Sequence, residues 1–383
     1  MKTLKSRAVE RGKLIRSSLV ALLLVLVACG GSGIDTTTPT TVAGTPTTEP
    51  ANDTTAPPAT SATTTAAPAE LGELSYQLGW LMNIQYGGTL IADAEGYYMD
   101  EGFTAVELLP GGPDTAPVPV VVSGNALVGM TSFPALAGAL AEGAEIRAIG
   151  VKFQRNPSGL MSLATNPVLT PEDIVGKRVG VCGSCVPGWE AFLAVNGIDP
   201  SEVTTVPVQF DPQPLVNGEV DAWYSFITSQ PNALRARGIE VEVMAFHDYG
   251  METVAEAYFT TLENLSGKRA ELKAFMAAEI RGWQEAVQNP EKAARLAVEE
   301  YGADLGLDLD EQLLEANDQN ELLVATPEAL DHGYAYVSPE QQEQTVAILE
   351  SSAGMTVSAQ DLFDMSILDE LFAERPELAE FTR

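Results

Sequence analysis

The stretch LSYQLGWLMNIQYGGTLIADAEGYYMDEGFTAVELLPGG, Leu74 to Gly112, decides the fold. Leu74 to Trp80 is a short apolar run with strand propensity, and Asn83 to Gly88 has the composition of a loop. Thr89 to Tyr98 sets Leu90, Ile91, Ala94, Tyr97 and Tyr98 at helical spacing, with Gly102 closing the helix. Thr104 to Leu109 returns as a second strand. A strand–helix–strand unit favours a parallel pair, because a right-twisted strand feeding a right-handed helix packs back onto the sheet in one hand. Sheets of this kind take ligands beyond the carboxyl ends of their strands. Trp80, Asn83, Tyr86 and the Pro110-Gly111-Gly112 turn fall there.

The alternation continues outward. Asp114 to Ser123 predicts a helix, Ala126 to Ser132 a strand, Pro134 to Glu142 a helix and Glu145 to Phe153 a strand. Beyond the apolar run Gly159 to Ala164, strands are expected at Lys177 to Val181, Thr204 to Phe210, through Phe226, and at Glu240 to Phe246. Trp189 to Asn196 predicts a helix behind the loop Gly183 to Gly188. Strands alternating with helices imply doubly wound α/β lobes. Leu262 to Arg383 is helical in pattern; Leu272, Phe275, Met276, Ile280, Trp283 and Val287 form one apolar face, expected to be core.

Charge and composition exclude several classes. The 383 residues hold 53 acidic and 21 basic side chains, a formal charge of −32. Nucleic acid is excluded as a partner, since phosphate binding needs a basic surface. With His247 and His332 as its two histidines, the chain has little material for a His-based metal site or triad. Residues 1–29 predict a secretory signal: basic residues from Lys2 to Arg16, then the apolar run Leu19 to Ala28, too short for a membrane span. It ends in Leu26-Val27-Ala28-Cys29-Gly30, which resembles a bacterial lipobox and implies a lipid-anchored Cys29 on the extracytoplasmic face of the cell membrane. Residues 30–70, rich in Thr, Pro and Ala, cannot bury a core and are expected to be a disordered tether.

Three phrases in this order resemble one family. They are Gly79-Trp80-Leu81-Met82-Asn83, Ala92 through Gly102 with its Gly-Tyr-Tyr, and Pro110 through Asp114; Pro171 through Val181 adds a fourth. The chain is similar to ABC-importer substrate-binding proteins related to the thiamine-pyrimidine synthases, a group with riboflavin, sulfonate and nitrate binders. The resemblance covers about residues 74 to 300 and implies a two-lobed periplasmic-binding-protein type II fold. First-lobe residues would be 71–158, the second lobe 159–257, and 258–383 would complete the first lobe with C-terminal helices. It further implies a monomer without cofactor, catalytic residue or metal, handing a small ligand to ABC permease and ATPase subunits. The ligand expected first is a thiamine-precursor pyrimidine, then riboflavin, then sulfonate, taurine or nitrate. The enzyme alternative is a pyrimidine synthase. Those synthases carry a Cys-rich run that Gly250 to Ala255 lacks.

A planar ligand is held between aromatic faces and fixed at its edge by a few polar groups. The candidate contacts are Trp80, Asn83, Tyr86, Ser132, Phe133, Arg155, Cys182, Trp189 and Tyr224. Trp80 and Tyr86 lead because their loop follows a parallel strand, and Trp189 follows because it would open a helix. Arg155 is the one cation expected near a strand end. Cys182 and Cys185 admit a disulfide in an oxidising compartment, a redox pair or two free thiols, whereas zinc would need further ligands.

Overall fold

The computed structural model describes residues 70–383 except 113, 114 and 210. The signal, Cys29, nearly all of the tether and Asp114 lie outside the described residues. Ten strands are present among the described residues: β1 (Gly72–Gln77), β2 (Phe103–Leu109), β3 (Val128–Thr131), β4 (Ile146–Phe153), β5 (Ser158–Leu163), β6 (Arg178–Cys182), β7 (Thr204–Val208), β8 (Ala222–Phe226), β9 (Val241–Ala245) and β10 (Ala255–Thr261). They form two five-stranded sheets, ordered β2-β1-β3-β10-β4 and β7-β6-β8-β5-β9. In each sheet one strand runs antiparallel to its neighbours, and it is the strand that arrives from the other lobe: β5 in the second sheet and β10 in the first. The β1–β2 pair is parallel. The chain therefore crosses between lobes twice, at 154–157 and at 246–254.

Five helices position the residues described below: α1 (Gly87–Ala94), α2 (Val186–Val195), α3 (Gln230–Ala236), α4 (Arg269–Gln288) and α5 (Leu309–Gln319). The helix expected over Thr89 to Tyr98 is two pieces, because Gly96 takes φ 73° and turns the chain before Tyr97–Asp100. The helix expected from Asp114 is formed over Pro117–Val122, with Pro117 in its first turn, where a missing N–H costs nothing. Helix α3 has no counterpart in the sequence reading.

The first-lobe core is aromatic. Trp283 is buried as its stripe predicts, and its indole N–H donates to Tyr258 Oη at 3.2 Å. Helix α4 carries the buried Glu279, which accepts from Thr89 Oγ1 (3.0 Å), Tyr98 Oη and Tyr258 Oη (2.7 Å). Helices α1 and α4 cross backbone to backbone: a Cβ on Gly282 would stand 2.1 Å from the Gly88 carbonyl oxygen. The second-lobe sheet buries Val179, Val181, Trp189, Phe192 and Phe246 on one face, and Leu215, Trp223 and Leu234 on the other.

Candidate functional site

The loop after β1 is shaped from three sides. Asn83 Oδ1 accepts from Gln85 N at 3.1 Å and caps the short turn Ile84–Tyr86. From α5, Gln312 Oε1 accepts from Ile84 N at 3.0 Å, and Gln319 Nε2 donates to Ile84 O at 2.7 Å. Trp80 O accepts from Gly111 N at 2.9 Å, and a Cβ on Gly111 would lie 2.5 Å from Trp80 N. Only glycine admits that approach, which explains the Pro-Gly-Gly turn.

These constraints bury Tyr86 with its hydroxyl against the Gly79 and Trp80 backbone. Lys152, at the carboxyl end of β4, lies over its ring, with Nζ 4.3 Å from the Tyr86 centroid and 4.5 Å from that of Phe153. The register of β4 and β10 pairs Ala255 with Phe153 and Ala257 with Val151. Glu256 therefore stands beside Lys152, with Oε2 3.6 Å from Nζ, an ion-pair contact longer than a hydrogen bond. Burial lowers the Lys152 pKa below its ordinary value, while Glu256 opposes that fall. Glu256 has φ 60°, left-handed backbone that a non-glycine residue rarely adopts.

Glu315 of α5 completes the cluster. It is wholly buried, and burial foremost, with Glu311 adding, pushes its carboxyl up to about 8; Gln85, Lys152 and Ser229 pull the other way. Ser229 follows β8 in the second lobe, so Glu315 is shared between the lobes. Nearby, Asn232 Nδ2 of α3 donates to Asp318 Oδ2 of α5 at 2.7 Å. The polar atoms Tyr86 Oη, Lys152 Nζ, Glu315 Oε1 and, on β8, Ser225 Oγ are buried without a hydrogen-bond partner. Unpaired buried polar atoms are costly. Tyr86 Oη, Lys152 Nζ and Glu315 Oε1 belong to one cluster at the carboxyl edge of the first sheet, with hydrogen-bonding capacity left unused.

The family model described as NMT1/THI5 like matches residues 83–293, more than half of the chain. The chain belongs to this family. It is similar to the riboflavin-binding protein RibY of Chloroflexus aurantiacus, 25% identical over 344 residues that cover 87% of this chain and 92% of the relative. It is also similar to the 4-amino-5-hydroxymethyl-2-methylpyrimidine phosphate synthase of Legionella pneumophila, 26% identical over 224 residues, 57% of this chain and 71% of the relative. Among solved structures, the periplasmic aliphatic sulphonate-binding protein SsuA of Escherichia coli aligns with a TM-score of 0.58 at 16% identity, covering 76% of this chain and 92% of that one. The periplasmic nitrate-binding protein NrtA of Synechocystis aligns with a TM-score of 0.56 at 13% identity, covering 82% and 92%. Both likenesses show the type II periplasmic-binding-protein fold.

In this NMT1/THI5-like chain the candidate contacts separate. Tyr86 joins the buried cluster, Asn83 shapes its loop, and Trp80 is half-buried beside it. Ser132 is exposed at the N-cap of the helix Phe133–Ala141, while Phe133 is buried against Phe363, 5.1 Å between centroids. Arg155 lies outside the cluster, its side chain 41% exposed and turned to Glu328, 3.8 Å away. The expectation that Trp189 opens its helix is corrected. Helix α2 begins at Val186, so Trp189 is a turn inside it, 1% exposed, stacked on Phe192 and donating to Thr205 Oγ1 at 3.0 Å. Cys182 and Cys185 form a disulfide around the turn that starts α2. Tyr224 Oη donates to Ser158 Oγ at 2.8 Å, at the root of the first crossing. Lys152, Glu256, Gln85 and Glu315 escaped the sequence reading. For Lys152 there was one signal, a lysine inside the apolar strand run IRAIGVKF. No local pattern distinguishes Glu315 among 53 acidic residues.

Proposed function

We propose that this protein is the extracytoplasmic substrate-binding component of an ABC importer, and that it holds a planar nitrogen heterocycle between its two sheets. The observation that carries this reading is the buried group Tyr86, Lys152 and Glu315 at the carboxyl edge of the first sheet, with Ser229 of the second lobe brought against Glu315. An aromatic face next to unpaired donors and acceptors suits stacking plus edge hydrogen bonds. The ligand that comes first is a flavin, ahead of the pyrimidine that the sequence alone favours, because the riboflavin-binding relative is matched over nearly its whole length. A thiamine-precursor pyrimidine is second, supported by the shorter match to the pyrimidine synthase. Cys29 anchors the mature chain by a lipid, residues 30–70 give it reach, and the lobes 71–158 with 258–383 and 159–257 close about their two crossings. The protein works as a monomer, does no chemistry on the ligand and delivers it to a permease driven by an ATPase. The test is the absorbance spectrum of the freshly purified protein, followed by tryptophan-fluorescence titration. Flavin bands or quenching by riboflavin support the first ligand; quenching by hydroxymethylpyrimidine alone supports the second. Silence toward both, together with turnover of pyridoxal phosphate to a pyrimidine, refutes the binding reading in favour of an enzyme.

A further inference from the structure

The cation of this cluster is already answered. Lys152 Nζ has Glu256 Oε2 at 3.6 Å and is walled by the Tyr86 and Phe153 rings, with its side chain fully buried. Glu315 brings a second carboxyl group to the same place, and Arg155, beside the crossing, is engaged outward with Glu328. An anion entering between the lobes would shed its water, meet an ammonium whose charge is already spent, and face the Glu256 carboxylate that spends it. Burying a charge without an available counter-charge is strongly unfavourable. A neutral ligand escapes that penalty and can still complete Tyr86 Oη and Glu315 Oε1. The backbone gives a second, independent sign. Glu256 holds a left-handed φ of 60° where glycine or asparagine would sit with less strain. Strain of this kind at a non-glycine residue clusters at ligand clamps and active sites.

We infer that Glu256 sets the charge selectivity of the site: by neutralising Lys152 it makes the cleft accept a neutral, hydrogen-bonding planar ligand and refuse anionic counterparts such as its phosphate ester or an alkanesulfonate. This rests on the reading above that the ligand lies between the lobes. The experiment measures the affinity of the full-length protein, in detergent, for riboflavin, riboflavin 5′-phosphate and ethanesulfonate, with small-angle scattering to read lobe closure. It compares the wild type, Glu256→Gln, and Glu256→Gln combined with Lys152→Met. The wild type should prefer riboflavin to its phosphate by about a hundredfold or more, because the second ligand buries an unanswered charge. Glu256→Gln should raise affinity for the phosphate or the sulfonate by about tenfold or more, since it frees the Lys152 charge. The double variant should lose that gain. The wild-type preference decides even if a variant does not fold. A wild type that takes the phosphate or the sulfonate as tightly as riboflavin overturns the inference. So does a folded Glu256→Gln with unchanged anion affinity. Closure driven by the sulfonate would defeat the selectivity and leave the binding-protein reading standing. Absence of binding and closure with every probe, in a protein that also ignores hydroxymethylpyrimidine, would defeat both; binding of hydroxymethylpyrimidine alone would overturn the inference for flavins and leave the binding-protein reading standing.

Discussion

Glu315→Gln should alter how stability depends on pH. Burial first, and Glu311 second, push the Glu315 carboxyl up to about 8 from its ordinary 4.5. The folded-state value is raised, so between those two pH values the native chain keeps a proton that the unfolded chain has released. Stability therefore falls as pH rises through that window and levels off above it. Each pH unit inside the window is worth about 1.4 kcal/mol. At pH 7 the accumulated cost of keeping this group buried is about 3 kcal/mol. Glutamine matches the side chain in size and does not titrate. It forfeits some hydrogen-bond quality toward Gln85 and Ser229, about 1 kcal/mol at any pH. The variant should thus be slightly less stable than wild type at pH 4.5 and more stable by about 2 kcal/mol at pH 7. Urea unfolding from pH 4.5 to 8 at constant ionic strength measures this as a difference between the two proteins. Buried Glu279, whose pKa is also raised by burial, then contributes equally to both and cancels. Parallel stability profiles would refute the buried, proton-holding Glu315. A difference growing toward acid would refute the sign.

Gly282→Ala should cost about 3 kcal/mol, because its Cβ would fall 2.1 Å from the Gly88 carbonyl and two helix backbones would have to part; a melting temperature unchanged from wild type would contradict the α1–α4 crossing. Trp80→Ala should weaken ligand binding by about tenfold or more while leaving the unfolding midpoint close to wild type, through loss of a half-buried aromatic side chain on the loop after β1; an unaltered titration removes Trp80 from the site. Cys29→Ser should move the protein from the membrane fraction to the soluble fraction, as one acyl-bearing residue is its proposed anchor; continued membrane association after the substitution rejects the lipobox reading.

What could be read from the chain follows the range of the signals. Strands and helices arise from periodicity over ten residues or so, and the alternation from Leu74 to Phe153 was legible for that reason. Helix starts depend on finer cues. The Gly183-to-Gly188 stretch has loop composition, yet the turn closed by the Cys182–Cys185 disulfide and Pro187 in the first helical turn begin α2 at Val186. That shift of three residues carries Trp189 from the helix mouth into the core. Cations mislead in a similar way. Lysine is almost never fully buried, so an arginine at the strand end looks the better candidate for a site. The packing of Tyr86 and Phe153 around Lys152 and the cross-strand placement of Glu256 reverse that choice. Tyr86 and Glu256 both reach Lys152 from segments far apart in sequence, and no window of local sequence contains those contacts.

The same strand order in both sheets explains why these contacts fall together. β10 lies between β3 and β4, and β5 lies between β8 and β9, each antiparallel to its flanking strands. A strand inserted in that sense starts at the carboxyl edge of its sheet, so both crossings leave and enter there. Lys152 stands just before the outgoing crossing and Glu256 just after the returning one. The ion pair thus joins the two hinge strands at their root, and Glu315 reaches Ser229 across the lobes from α5. A ligand that touches Lys152 touches the hinge; one that satisfies Glu315 touches the contact between lobes. Under the proposed function, recognition and closure share the same side chains, and a substitution at Lys152, Glu256 or Glu315 should move affinity and lobe closure together.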